Sequence, residues 1–181
     1  MERLVIDTET TGLSPRFNSL LTVGMLHIDV EKDFLKILDS SHIFIRHLSG
    51  SVNPQALKVN KINIEEHNKT AITPNSACKQ INQFIDKNSL HKTLLVGHNL
   101  HFDRGFLSAL YVKEDQDPIF HHEHEDTMYI WRNLQKKGIV PYGRSNLQTL
   151  SEHFNLDYSK AHDALADCHI TAKVYHKMLN L

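Results

Sequence analysis

Four acidic residues and one histidine stand where the chain's pattern could bring them together for chemistry. Asp7 and Glu9 close the apolar run "RLVIDTE" (3–9), and a separation of two along a strand points both carboxylates to the same face. Close carboxylates disfavour each other's ionisation unless a cation lies between them, so the pair is a candidate holder of a divalent cation. The "TTG" that follows (10–12) adds hydroxyls, backbone donors and, at Gly12, a place where a ligand could approach the backbone. "LLVGHNLHFDRGFL" (94–107) repeats the arrangement: a buried strand ends at His98 and Asn99, and Asp103 follows at the start of a helix. Ligand sites in α/β domains collect beyond strand ends, which puts Asp103 in reach of the Asp7/Glu9 pair.

The third stretch, "KAHDALADCHIT" (160–171), opens the closing helix. Ala161, Leu165, Cys168, Ala172, Tyr175 and Leu179 recur at steps of four and three, which defines a single core-facing stripe. At about 100° per residue, Asp163 lies about 150° from that stripe and Asp167 about 110° from it. Asp163 is therefore a cap or solvated residue, and Asp167 sits at the stripe's edge. His162 would be about 140° around the helix from Asp167, so the two can share a site only if His162 precedes the helix and Asp163 caps it. Alone, each motif has an ordinary reading: a solvated strand end, a first-turn acid beside the helix dipole, a loop histidine.

These residues need strands and helices to hold them. The runs 3–9, 20–30 and 34–48 read as three successive antiparallel strands, with "VEKDF" (30–34) as a hairpin connection. Pro54 opens a short helical turn, and Thr73 with Pro74 caps a helix to about Asp86. A fourth strand covers 92–98, and helical patterns follow at 102–111, 125–137 (Asp126 as cap), 145–154 and beyond 163. Strands first, then helices around one more strand, predict an α/β domain with a mixed sheet flanked by helices, spanning 1–181 as one unit.

Bulk properties narrow the function classes. With 20 Lys plus Arg against 21 Asp plus Glu, the net charge of −1 offers no global basic field, so any polyanion must be handled locally. Cys78 and Cys168 lack CxxC spacing, which speaks against a zinc ribbon or disulfide framework and for a reducing, cytoplasmic setting. No apolar run approaches the ~18 residues of a membrane span, and no signal-peptide pattern opens the chain. Histidine is abundant, at 14 of 181. Part of the excess lies in "FHHEHEDTM" (120–128), which reads as a solvated loop before a helix rather than a fixed metal site.

"VIDTETTGLSP", "VGHNLHFDRGFL" and "HDALADCHIT", in this order and at these separations, resemble the three motifs of the DnaQ-like, DEDDh 3′→5′ exonucleases. Gly24, "VNPQA", "DTMYIWR" and "NLQTLSEHFNL" also fall where that family has similar elements, so the resemblance runs through essentially the whole chain. It implies an RNase H-like fold, three antiparallel strands followed by parallel ones. It further implies Asp7, Glu9, Asp103 and Asp167 as ligands of two divalent cations, Mg²⁺ or Mn²⁺, and His162 as proton acceptor. The related subgroup has a tyrosine four residues before the last aspartate; Asp163 stands there in this chain, which fits the histidine subgroup only. "VNPQALKVNKI" departs from the family's frequent His-Gly-Ile ending, which affects the loop beside the site.

The implied reaction is two-metal hydrolysis of a single-stranded 3′ end to nucleoside 5′-monophosphates, with DNA as the first expectation and RNA as the alternative. A module that binds nucleic acid without turnover is the rival from another class. An imidazole base predicts activity that rises toward mildly alkaline pH. Thr8, Thr10, Thr11 and Gly12 would meet the terminal nucleotide through backbone and side-chain donors, Leu13 would wedge against its base, and His98, Asn99 and Phe102 would shape the pocket. Lys58, Arg104 and Lys160 are candidate phosphate contacts. A DNA polymerase or replication assembly, in repair or proofreading, is an open partner; a membrane is not expected.

Overall fold

The structure is a computed structural model and describes residues 1–159 and 161–181. Its centre is one five-stranded sheet in the order β3-β2-β1-β4-β5. Strands β1 (Glu2–Thr10), β2 (Leu20–Val30) and β3 (Leu35–Phe44) pair antiparallel in succession. On the other side of β1, β4 (Leu95–Gly97) pairs parallel, and β5 (His124–Asp126) pairs parallel to β4. This is the mixed, three-antiparallel-then-parallel sheet that the sequence predicts.

Among the described residues, seven helices flank it: α1 (Pro54–Asn60), α2 (Ile64–Thr70), α3 (Pro74–Lys87), α4 (Leu100–Lys113), α5 (Thr127–Lys136), α6 (Leu147–His153) and α7 (Ala164–Met178). The alternation of β1 assigns its residues to two layers. Leu4 and Ile6 pack with Ala77 and Ile81 of α3 and with Phe106 and Leu107 of α4. Val5 packs on the other face with Leu26, Ile28 and α7's Cys168, Ala172 and Tyr175. Each Leu, Ile, Val or Phe among them, fully buried, contributes about 1.5–3 kcal/mol. The end of β1 is thus clamped between α4 and α7.

Several expectations need correction. The segment 121–126 is not simply a solvated loop, because its last three residues form β5. Pairing with β4 made an edge strand of them, and such long-range pairing leaves little local signature. α2 was not foreseen, although Asn63 caps it by accepting from Glu66 N and Glu65 and Glu66 occupy its first turn, a local start signal. The third strand stops at Phe44 instead of Leu48: Ile45 still donates to Leu21 O of β2 at 2.7 Å but forms an isolated bridge with Ile72, beyond which the chain turns to α1. β4 has three residues, not seven.

α7 also carries more than a single stripe. Besides Cys168, Ala172 and Tyr175 on the sheet, Ile170, Val174 and Met178 are buried in a third cluster with Trp131 of α5 and Leu150 of α6. The helix is covered on two sides, and that hides Asp167 more fully than one amphipathic face would. Its start is fixed by a close approach: a Cβ on Gly24 of β2 would lie 2.4 Å from the backbone of Ala164. Only glycine leaves room for the N-terminus of α7 to rest on the sheet.

Candidate active site

Asp7 and Glu9 share the face of β1 that α7 covers, and Asp167 in the first turn of α7 meets them there. One carboxylate oxygen from each of the three lies within 4.8 Å of the others. Asp103 comes from the opposite layer. It stands in the first turn of α4, only 3% exposed, and accepts from Thr8 Oγ1 at 2.7 Å. It therefore flanks the strand end rather than joining the group of three, yet it is near enough for its charge to act on Asp7.

Crowded together and buried, these carboxyls resist ionisation. Burial, then the charges of Asp103, Asp167 and Glu9, keeps Asp7 well above the ordinary carboxylate range. Burial and the Asp167 charge push Glu9 up to about 8, against a hydrogen bond from Asn60. Burial likewise raises Asp103 to about 7 and Asp167 to about 6, opposed by the Thr8 hydroxyl in the first case and the His162 N–H in the second. Asp167 uses Oδ2 to accept from His162 N at 3.1 Å, while its buried Oδ1 has no hydrogen-bond partner among the described residues. A set of converging, hard oxygen donors with an orphaned buried oxygen fits divalent cations of the Mg²⁺ or Mn²⁺ type.

His162 lies outside α7, as cooperation with Asp167 required. Its φ is +72°, a left-handed conformation that non-glycine residues seldom adopt. That turn folds the His162 N–H back onto Asp167 and leaves the side chain exposed, facing the Tyr158 ring edge-on at 6.1 Å. Asp163 is the N-cap, accepting from Ala166 N at 2.9 Å.

The turn after β1 differs from its expected use. Thr10 Oγ1 donates to Gly12 O, Thr11 Oγ1 donates to Ser51 O and accepts from Ser19 N, and Thr8 Oγ1 is committed to Asp103. All three hydroxyls are buried and engaged internally, so they brace the turn and are not free donors. Gly12 is buried too, with the Asn18 side chain packed where its Cβ would be. Leu13 stands out from the turn at 79% exposure, beside the exposed Arg16 and Phe17. Arg104 is likewise occupied, donating to His122 O and bonded to His124 Nδ1. Lys58 is exposed on α1, and Lys160 lies outside the described residues.

His98, Asn99 and Phe102 gather where β4 runs into α4. His98 Nδ1 bonds Thr127 Oγ1 at 2.9 Å, and burial pulls its imidazole down to about 4, so it is neutral. Phe102 is half-buried against Phe106. Asn99 adopts φ +62° and makes no side-chain cap. The cap comes from Asp126, which the sequence assigns to α5 alone. Its carboxylate accepts from Asn99 N, Leu100 N and Met128 N at 3.0, 2.8 and 2.9 Å, starting α4 and α5 together. Asp126 thereby positions Asp103 through α4. A cap that serves a second helix from 26 residues away leaves no local mark.

Comparisons with known proteins identify the family and the fold. The exonuclease family model, RNase_T, matches residues 4–175. Ribonuclease T of Histophilus somni is 27% identical over 187 residues, covering 98% of this chain and 83% of that protein. Ribonuclease T of Buchnera aphidicola is 28% identical, with 98% and 82% covered. Among solved structures, the nuclease domain of 3′hExo, a DEDDh family member bound to rAMP, superposes with a TM-score of 0.80 at 19% identity, covering 98% of this chain and 91% of that one. E. coli Exonuclease I in complex with a dT13 oligonucleotide gives 0.79 at 19% identity. The match covers 97% of this chain but only 40% of exonuclease I, so the chain spans well under half of that enzyme. With the family model covering nearly every element and the relatives matching along the whole chain, this chain belongs to the exonuclease family, in its DnaQ-like DEDDh branch, and is a 3′→5′ exonuclease.

Proposed function

We propose that the protein removes nucleoside 5′-monophosphates one at a time from the 3′ end of single-stranded nucleic acid. The observation that carries the reading is the convergence of Asp7, Glu9 and Asp167 at the end of β1, with His162 turned out just ahead of α7. The family depends on divalent metal, and we assign Asp7, Glu9, Asp103 and Asp167 as the holders of two cations, Mg²⁺ or Mn²⁺. When bound, these would acidify a water and offset the charge that builds on the phosphate oxygens.

The rest falls to the chain's own residues. His162 accepts the proton of the attacking water at its imidazole, and its exposure lets that proton pass to solvent. The water oxygen bonds to phosphorus, and the bond from phosphorus to the 3′-oxygen of the preceding nucleotide breaks. That oxygen takes up a proton and becomes the new 3′-hydroxyl. The backbone bond from His162 to Asp167 ties base and carboxylate into one unit. Leu13 meets the terminal base, and Phe102, His98 and Asn99 line the approach.

The sequence pointed first to DNA. The whole-length likeness to proteins named Ribonuclease T favours RNA as the first substrate to try, and the fold shared with exonuclease I keeps DNA as the second. The test is a pair of 5′-labelled single-stranded oligonucleotides, RNA and DNA of one sequence, with Mg²⁺ or Mn²⁺. We expect stepwise shortening from the 3′ end, arrest by a 3′-phosphate, and loss with Asp7→Ala. Equal turnover by Asp7→Ala, or internal cuts, would sink the reading.

A further inference from the structure

Beside the acidic strand end lies an open groove of about 930 Å³ that the proposed chemistry does not use. It runs between α5 and the loop leading to α6, and it opens at His98 and Asn99. Its walls are held in place. Gln135 Nε2 donates to Pro141 O and Gly143 O at 3.0 and 3.2 Å, which pins the loop to α5. Arg132 donates from Nε to Ser145 Oγ at 3.0 Å, and its guanidinium lies 5.7 Å from the centre of the Tyr129 ring.

The chemistry of the groove is one-sided. Arg132, Lys136 and Arg144 are exposed there, no Asp or Glu lines it, and none of the three cations forms an ion pair among the described residues. At the loop's tip, Tyr142 is 93% exposed, a large ring that solvates poorly and packs on nothing. Unpaired cations along a groove with an open aromatic ring suit a single-stranded polynucleotide, whose phosphates follow the cations and whose base stacks on the ring. An acidic peptide would match the cations but leave the ring without a partner.

Position adds direction. The turn that carries Leu13 closes between β1 and β2, through Thr11 N to Ser19 O, whereas the groove lies on the β4–β5 side of β1. A strand whose end lies between them leaves past Asn99, which is exposed and has a side chain free of any capping bond. We propose that Arg132, Tyr142 and Arg144 hold the nucleotides on the 5′ side of the one being removed. This makes the groove a binding site for the body of the single-stranded substrate. It rests on the exonuclease reading for its orientation.

The test compares the wild-type protein with Arg132→Ala/Arg144→Ala and with Tyr142→Ala, on a dodecamer and on a dinucleotide. We expect the double variant to raise KM for the dodecamer at least tenfold more than for the dinucleotide, with kcat changed far less. The slope of log affinity against log salt should fall by about 1.4, at about 0.7 per phosphate contact on a single strand. Tyr142→Ala should weaken dodecamer binding about tenfold, within the range of one stacked base, and Tyr142→Phe should restore it. Equal losses on both lengths, no loss on either, or losses only on a duplex with a recessed 3′ end would overturn the proposal. Fluorescence anisotropy of the 5′-fluorescein dodecamer in EDTA reads the groove without turnover. A wild-type protein that binds through these residues but releases nothing would therefore overturn the exonuclease reading alone.

Discussion

The end of β1 and the groove along α5 lie on either side of Asn99 and follow opposite rules. At the strand end, carboxylates from three elements crowd together, burial and mutual repulsion raise their pKa values, and one buried oxygen has no partner among the described residues. Along α5, three cations stand exposed with no acid among them, and the groove's walls are tied by ordinary hydrogen bonds. The first region is complete only with something positive added; the second invites something negative. The net charge of −1, a sum over the whole chain, conceals how strongly each region is polarised.

The comparison breaks most sharply at Asp7. Asp7→Asn should lower exonuclease activity by about four orders of magnitude, a loss within the range for disabling one member of a concerted catalytic set. The same change removes a buried carboxyl that ionises more readily in the unfolded chain than in the folded one, so the metal-free variant should melt above the wild-type protein at pH 8. A variant that loses activity and also melts lower would place Asp7's contribution in folding instead. His162→Ala comes next, with a loss of about 10²- to 10⁴-fold in kcat, the range for a positioned general base. The alkaline rise in its pH–rate profile should flatten while thermal stability changes little.

Gly24→Ala attacks the assembly rather than the chemistry. Pressing a methyl group into the backbone of Ala164 should cost about 1–3 kcal/mol. At about 2–4 °C per kcal/mol for a chain of this size, calorimetry should find Tm several degrees lower, with activity reduced through a displaced Asp167. A wild-type Tm would mean that α7 yields without strain.

Acidity itself gives a milder handle. Each raised carboxyl holds its proton more tightly in the folded protein than in the unfolded chain, so its contribution is complete below about pH 4. It is lost as pH rises through about 6 at Asp167, about 7 at Asp103 and about 8 at Glu9. Metal-free protein should therefore melt progressively lower from pH 5 to pH 8, and Mg²⁺ or Mn²⁺ should raise Tm more at pH 8 than at pH 5.5. A cation effect independent of pH would contradict this. The smallest effect belongs to the basic side: Arg132→Ala/Arg144→Ala should leave that cation-dependent rise in Tm within about a degree of the wild-type value, because each region is governed by its own charges.

What the sequence made legible was local. Asp7 and Glu9 two apart at a strand end, and His162 just ahead of a helix capped by Asp163, follow from periods and caps that span a few residues. The three antiparallel strands were readable for the same reason. What stayed hidden depends on partners far along the chain. The threonines after β1 look like donors until Ser51, Ser19 and Asp103 claim them. Asp126 looks like the cap of one helix until α4 arrives to share it. The second buried face of α7 exists because α5 and α6 fold over it, and β5 because β4 is already in place.

The docking of α7 on Gly24 also has a consequence in time. Asp7, Glu9 and Asp103 belong to elements that are synthesised before α7, whereas Asp167 lies in α7 and His162 just ahead of it. A chain that has formed its sheet but not yet docked α7 has Asp7 and Glu9 side by side without Asp167, so the group of three carboxylates exists only once α7 has settled on Gly24.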